Sequence, residues 1–246
     1  MVMLAHGDPV TAHDFVYALR RALDPATLST YSSILYPIKH AVAVNRGERP
    51  PAELGVSATD DHTLRIELEA PTPYFLGLLN HSMSYPVHQE SVESHGERFA
   101  RPGKLVSNGA YVLQDWVVQS HIELARNAQY RENEQTTIDR VLYYAIENAE
   151  TVFKRYRADE IDFTQSVPAK QIPAIRKAMP AEYVQAPYLG SYYYGFNTTR
   201  EPFKGQPGLR RALSMAIDRD IITEKLTAAG ELPAYGWVPP VDGYAP

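Results

Sequence analysis

The chain predicts a mixed α/β (α+β) fold. Segments with apolar residues at helical spacing are interleaved from end to end with segments of alternating spacing, which favours layered strands and helices over a bundle or a sandwich. The composition is that of an ordinary globular protein, 44% hydrophobic and 22% charged over 246 residues, long enough for one large domain or two smaller ones. It has no cysteine, so packing rather than disulfides must hold it together.

The first element is a helix. Thr11 to Asp14 reads as an N-cap with an acidic residue three positions on, Pro9 stands just upstream, and Phe15, Ala18, Leu19, Ala22 and Leu23 recur on one face before Asp24-Pro25 stops it. One or two helical turns are expected around Tyr31, Ile34, Leu35 and Tyr36, then a loop at Arg49-Pro50-Pro51. Gly55 to Ala70 reads as a hairpin. Thr59-Asp60-Asp61-His62 supplies the turn, and Leu64, Ile66 and Leu68 alternate on the return strand. A short helix is expected within Tyr74–Leu79 and another over Gln89–Phe99, closed by Arg101-Pro102-Gly103.

Strands follow. Tyr111, Leu113, Trp116 and Val118 form one run, Ile122 and Leu124 its partner, and Val141, Tyr143 and Ala145 a third. Asn148–Arg157 is predicted as a helix with Val152, Phe153 and Tyr156 on one face, Asp159–Phe163 as a strand, and Ala169–Met179 as a short helix. The stretch Tyr188 to Asn197 carries four tyrosines and is predicted as an aromatic strand that leads into an amphipathic helix around Leu209–Arg219. Tyrosines in this pattern suit either a wall that holds varied ligands or the half-buried face of a sheet. The aromatic, proline-rich tail from Leu232 to Pro246 has the composition of a loop rather than of a closing element. No internal repeat or low-complexity segment interrupts the chain.

Function classes narrow by exclusion. The net charge of -5, with no basic stripe, argues against nucleic acid. No run of about twenty apolar residues suits a membrane span, and Met1 to Asp8 lacks the charged and apolar regions of a secretory signal. Glycine-rich phosphate loops and a Gly-x-Ser-x-Gly elbow are absent, and no catalytic residue is assigned. His81, His88 and His95 stand seven apart, but Pro86 breaks any shared helix and no acidic partner completes the set, so neither a metal nor another cofactor is expected. Asp60-Asp61-His62 is explained by turn chemistry.

Several stretches, in this order along the chain, resemble the oligopeptide-binding proteins of ABC importers, solute-binding protein family 5. They include Gly7-Asp8-Pro9-Val10-Thr11-Ala12-His13-Asp14-Phe15-Val16, Asp60-Asp61-His62-Thr63-Leu64, Pro71-Thr72-Pro73-Tyr74-Phe75, Ser107-Asn108-Gly109-Ala110-Tyr111, Asn127-Ala128-Gln129-Tyr130, Tyr156 to Asp162, the tyrosine stretch, and Asp218 to Ile222. The resemblance implies an incomplete periplasmic-binding-protein-like type II fold: residues 1–88 as the family's extra α/β domain, 89–189 as part of the first lobe, and 190–246 as the hinge and start of a truncated second lobe. It implies a non-enzymatic, monomeric, periplasmic component that binds short peptides, murein peptides among them, between its lobes and delivers them to a membrane permease. Tyr31 matches a tyrosine that meets the peptide near its N-terminal end, Tyr188 and Tyr193 match the walls of a side-chain pocket, and His81 its edge. Thr164, Gln165 and Ser166 match a cleft-facing segment, and Asn197 closes the set. Gly195 stands where relatives tend to carry an acidic residue. The family's aspartate for the peptide ammonium lies past residue 246, so peptide binding by this chain alone is expected to be weak or absent. Two other readings stay open: a hydrolase acting on peptides or glycans in an α/β cleft, and a fragment that binds nothing.

Overall fold

In the computed structural model, residues 2–186 and 188–241 are described, and the last part of the predicted tail, residues 242–246, lies outside them. The chain divides into two compact units, residues 1–145 and 146–246.

The first unit is organised by one amphipathic helix. In α1 (Ala12–Leu23) the Thr11 amide donates to Asp14 Oδ2 at 2.8 Å, which closes the predicted N-terminus. The helix buries Ala12, Val16, Ala18, Leu19, Ala22 and Leu23. Val16 takes the inward position expected of Phe15, which is only half-buried. Leu19 and Leu23 pack with Leu35, Ile38, Val44, Leu54, Val56 and Phe75 in a single cluster. Leu35 comes from a 3-10 turn over Ser32–Leu35, Val44 from α2 (Ala41–Asn45), Val56 from the strand β1 (Val56–Asp60) and Phe75 from α3 (Phe75–Leu78), with Ile38 and Leu54 on the connections. Burial of five of them to 2% exposure or less makes this the main source of hydrophobic stability in the unit.

β1 pairs antiparallel with β2 (Thr63–Ile66), Val56 opposite Ile66, as the turn residues predict. Asp60 Oδ1 accepts the His62 amide at 2.8 Å, and that bond, followed by Thr63, holds the Asp60 carboxyl below the usual carboxylate range. Gly55 is required by space. A Cβ there would stand 2.7 Å from Lys39 Cβ and 3.0 Å from the Glu67 carbonyl oxygen, because its amide bonds Lys39 O and its own carbonyl accepts from Glu67. Further along are α4 (Gln89–His95) and a three-stranded antiparallel sheet in the order β3 (Tyr111–Val117), β4 (His121–Arg126), β5 (Arg140–Tyr144). The buried Asn127 terminates β4. Its amide group donates to Gly109 O at 2.8 Å while its Oδ1 accepts from Gln129 N.

The second unit forms no strand among its described residues. Its elements are α5 (Ala149–Arg157), α6 (Ile172–Ala178), α7 (Pro207–Met215) and α8 (Arg219–Ile221), which runs into a π-helical stretch over Ile222–Thr227. Phe153, Ile172 and Ile175 are buried among its described residues. Two predicted strands are corrected here. Asp159–Phe163 is a turn: Asp159 has φ of 56°, a left-handed conformation that no strand contains, and Glu160 folds back to accept from Arg155 Nε at 2.7 Å. The tyrosine stretch 188–197 is irregular, with the Gly190 amide bonded locally to Tyr188 O instead of to a neighbouring strand. An alternating pattern sets which side chains share a face, but a strand also needs a partner backbone, and the described chain offers none there.

Candidate functional site

In the first unit, the 3-10 turn over Ser32–Leu35 starts at Tyr31 and leaves its ring 59% exposed. The turn is anchored from beneath. Asn45 Oδ1 accepts from Ser32 Oγ at 3.1 Å and from Tyr36 Oη at 2.8 Å, while Asn45 Nδ2 donates to Leu23 O at the end of α1. Asn45 therefore ties the core helix to the loop that carries Tyr31, a role that no local motif announces.

His81 caps a second 3-10 turn, Ser82–Ser84, with Nδ1 accepting the Met83 amide at 3.2 Å. An imidazole nitrogen that accepts an amide proton carries none itself, so the neutral ring presents Nε2–H as a free donor. The Tyr31 and His81 rings lie 5.3 Å apart at 50°. Ser29 Oγ donating to Met83 Sδ at 3.3 Å holds the two turns together. The structure thus joins two of the predicted contact residues, 50 positions apart in sequence, into one aromatic pair with two polar tips.

The other predicted residues belong to the second unit. Thr164 Oγ1 donates to Ser166 O at 2.9 Å and accepts the Ser166 amide, an internally bonded turn with Gln165 exposed at its apex. Tyr188 is 90% exposed, with its ring folded against Gly190, where a Cβ would stand 2.6 Å from the ring. Tyr193 packs on Trp237 with centroids 4.4 Å apart. Tyr192 and Tyr194 meet edge-to-face at 5.6 Å, and the hydrogen bond between their hydroxyls pushes the Tyr192 phenol above its ordinary pKa. Asn197 has a structural duty: its Oδ1 accepts both the amide and the hydroxyl of Thr199, at 3.1 and 2.7 Å.

The aromatic tail is the residue set that sequence reasoning left unused. Trp237 supports Tyr193, and Tyr235 donates to Asp220 Oδ2 at 3.1 Å beneath the Arg219 guanidinium, a bond that pushes the Tyr235 phenol upward. Aromatic enrichment of the tail was the only available signal. None of the predicted contact residues lines either of two open grooves, of about 390 Å³ at Tyr111 and Tyr130 and about 450 Å³ at Arg176 and Asp220. Tyr31, Tyr188 and Tyr193 are all exposed.

Residues 5–246 match the family model described as bacterial extracellular solute-binding proteins, family 5, middle. The chain belongs to this family. Among family 5 relatives it is 43% identical over 238 residues to the periplasmic oligopeptide-binding protein OppA of Escherichia coli, covering 95% of this chain and 44% of the relative. It is 40% identical over 242 residues to the probable deoxycholate-binding periplasmic protein YgiS of the same organism, covering 97% of this chain and 45% of that one. The solved structure of the Escherichia coli murein tripeptide binding protein MppA superposes with a TM-score of 0.92 at 40% identity, covering 98% of this chain and 47% of that one. The mixed α/β architecture is therefore that of family 5 solute-binding proteins, and the chain spans about half the length of the relatives it matches. These relatives are substrate-binding proteins rather than enzymes, and those two from the curated set are periplasmic.

Proposed function

We propose that this chain is part of the substrate-binding component of an ABC importer, a non-catalytic periplasmic protein that takes short peptides, murein peptides included, to a membrane permease. Family membership, together with the pairing of the exposed Tyr31 with the half-buried His81, carries the reading. Tyr31 Oη and His81 Nε2 are donors held on braced turns, suited to peptide carbonyl groups, whereas Tyr188 and Tyr193 offer ring faces to side chains of any identity. Backbone recognition is common to all peptides, and water adapts the rest. Thr164, Gln165, Ser166 and Asn197 are assigned as further peptide contacts, Asn197 through its amide NH2. Residues 1–88 are assigned to the extra domain, 89–189 to part of the first lobe, and 190–246 to the hinge and the start of the second. In support of the first assignment, the main hydrophobic cluster and the residues packed on it draw only on residues 16–83.

Isothermal titration with a pool of tripeptides tests the reading, with deoxycholate as a competing ligand class and chromatography of the peptides afterwards. Saturable peptide binding without cleavage is expected of the full-length protein, weakened about tenfold by Tyr193→Ala, the loss of one central aromatic contact. Cleaved peptide, or binding of deoxycholate in place of peptide, overturns it.

A further inference from the structure

We propose that His6, Asp8 and His88 form a binding site for one divalent transition-metal ion of the zinc class, which clamps the start of the chain to helix α4. One ligand atom from each of the three lies within 4.8 Å of the others. His6 Nε2 and Asp8 Oδ2 are 3.3 Å apart, and the His6 and His88 rings meet edge-to-face at 4.8 Å. Zinc bonds of about 2.0–2.2 Å separate two ligands of a tetrahedron by about 3.4 Å. The His6–Asp8 pair already has that spacing, and the third ligand needs to close by about 1.4 Å at most. Two imidazoles and a carboxylate are a donor set that zinc, nickel and copper accept in preference to magnesium or calcium.

The backbone on both sides is prepared for this. Val10 N bonds Val2 O, Leu4 N bonds Asp8 O at 2.7 Å, and Gly7 N returns to Leu4 O. The result is a tight hairpin in which Gly7 takes φ of 104° so that its two neighbours fall on the same side. Ala5 N also bonds Ser107 O, which fixes the hairpin to the rest of the unit. His88 stands at the start of α4, and the buried Ser91 of that helix is tied to Lys104 O at 2.6 Å. The heptad spacing of His81, His88 and His95 had pointed to no site. The site assembles instead across 80 residues of sequence, through folding alone.

One hydrogen bond opposes ligation and makes the proposal specific. His88 Nδ1 accepts the Ser91 amide at 3.3 Å, which puts the proton of the neutral ring on Nε2. Metal at Nε2 requires that proton to move to Nδ1, so the Ser91 amide must lose its acceptor. Three metal–ligand bonds form as waters leave the ion; His88 moves its proton to Nδ1 and gives up the Ser91 bond, and a proton that His6 holds on Nε2 toward Asp8 moves to its own Nδ1 or leaves to solvent.

Titration of the tag-free protein with zinc chloride tests it, with the Ser91 amide followed by nuclear magnetic resonance. One zinc per chain is expected, bound at least about tenfold more weakly by His6→Asn, Asp8→Asn and His88→Gln, and a Ser91 amide that shifts on binding. His13→Asn and His95→Gln, with circular dichroism to verify folding, are expected to bind as the unaltered chain does. His13 faces Asp61 at 3.5 Å and is the competing location. No zinc binding, binding unaltered by the three variants, binding lost in His13→Asn, or a Ser91 amide that does not respond overturns the proposal.

Discussion

Two amphipathic helices in this protein meet opposite fates. Helix α1 buries six of its twelve residues, Leu19 to 1% exposure and Leu23 completely. Helix α7 buries none, and Leu209, Leu213 and Met215 stand 39%, 42% and 74% exposed. Both show helical spacing of apolar residues, so amphipathicity does not separate them. The difference is in the partner. Aliphatic side chains from the 32–56 segment fill the space beside α1, whereas the second unit is rich in tyrosines and tryptophan that stay largely exposed. The first region uses its apolar surface to hold itself together. The second leaves apolar and aromatic surface open, on a chain that spans about half the length of the relatives it matches.

The largest effect expected from this contrast is on stability. Leu19→Ala should cost about 2–5 kcal/mol in urea denaturation, because it removes buried methyl groups and leaves a cavity. Leu213→Ala should stay within about 0.5 kcal/mol of the unaltered chain. Equal losses would mean that α7 is covered in solution, and the contrast would break.

Asn45→Ala sharpens the boundary between packing and recognition, with an expected loss of about 1–3 kcal/mol, since Ser32 Oγ, Tyr36 Oη and Leu23 O lose a shared partner. Peptide binding should weaken with it as the Tyr31 turn loosens. Full retention of peptide affinity would show that the turn is rigid without its anchor.

The smallest effect is electrostatic. The Glu67 carboxyl is held below the usual carboxylate range by its hydrogen bond to Lys39 at 3.0 Å, then by the charges of Lys39 and Arg65. Between the folded and unfolded pKa values the unfolded chain binds the extra proton, so stability rises with pH there and is lost as pH falls through the folded value. The carboxyl is on the surface, and the contribution is correspondingly slight. Glu67→Gln should flatten the acid side of the melting-temperature profile. Identical slopes for the two proteins would remove Glu67 from the account.

Much of the fold was legible because its determinants are local. The Thr11–Asp14 box, the Asp60–His62 turn and the Asn148 cap each sit within four residues of what they organise, and each forms as its residue types require. What failed was the part that depends on a neighbour: the tyrosine stretch has the alternation of a strand without a strand to pair with. The site divides in the same way. Tyr31, His81, Tyr188 and Tyr193 came from family resemblance, yet their partners Asn45, Met83 and Trp237 have no signature, because a hydrogen bond or ring contact across tens of residues leaves no spacing to read.

The sequence by itself determined the mixed α/β class, the positions of most helices and of both antiparallel sheets, and the family to which the chain belongs. Those follow from periodicity, capping and the ordered agreement of many short stretches. Tertiary structure alone decided which apolar faces are covered, which tyrosines gain a ring partner, and that His6 and Asp8 stand beside His88. Burial and proximity depend on where distant backbone is brought, and loop closure sets that for the chain as a whole rather than for any segment of it.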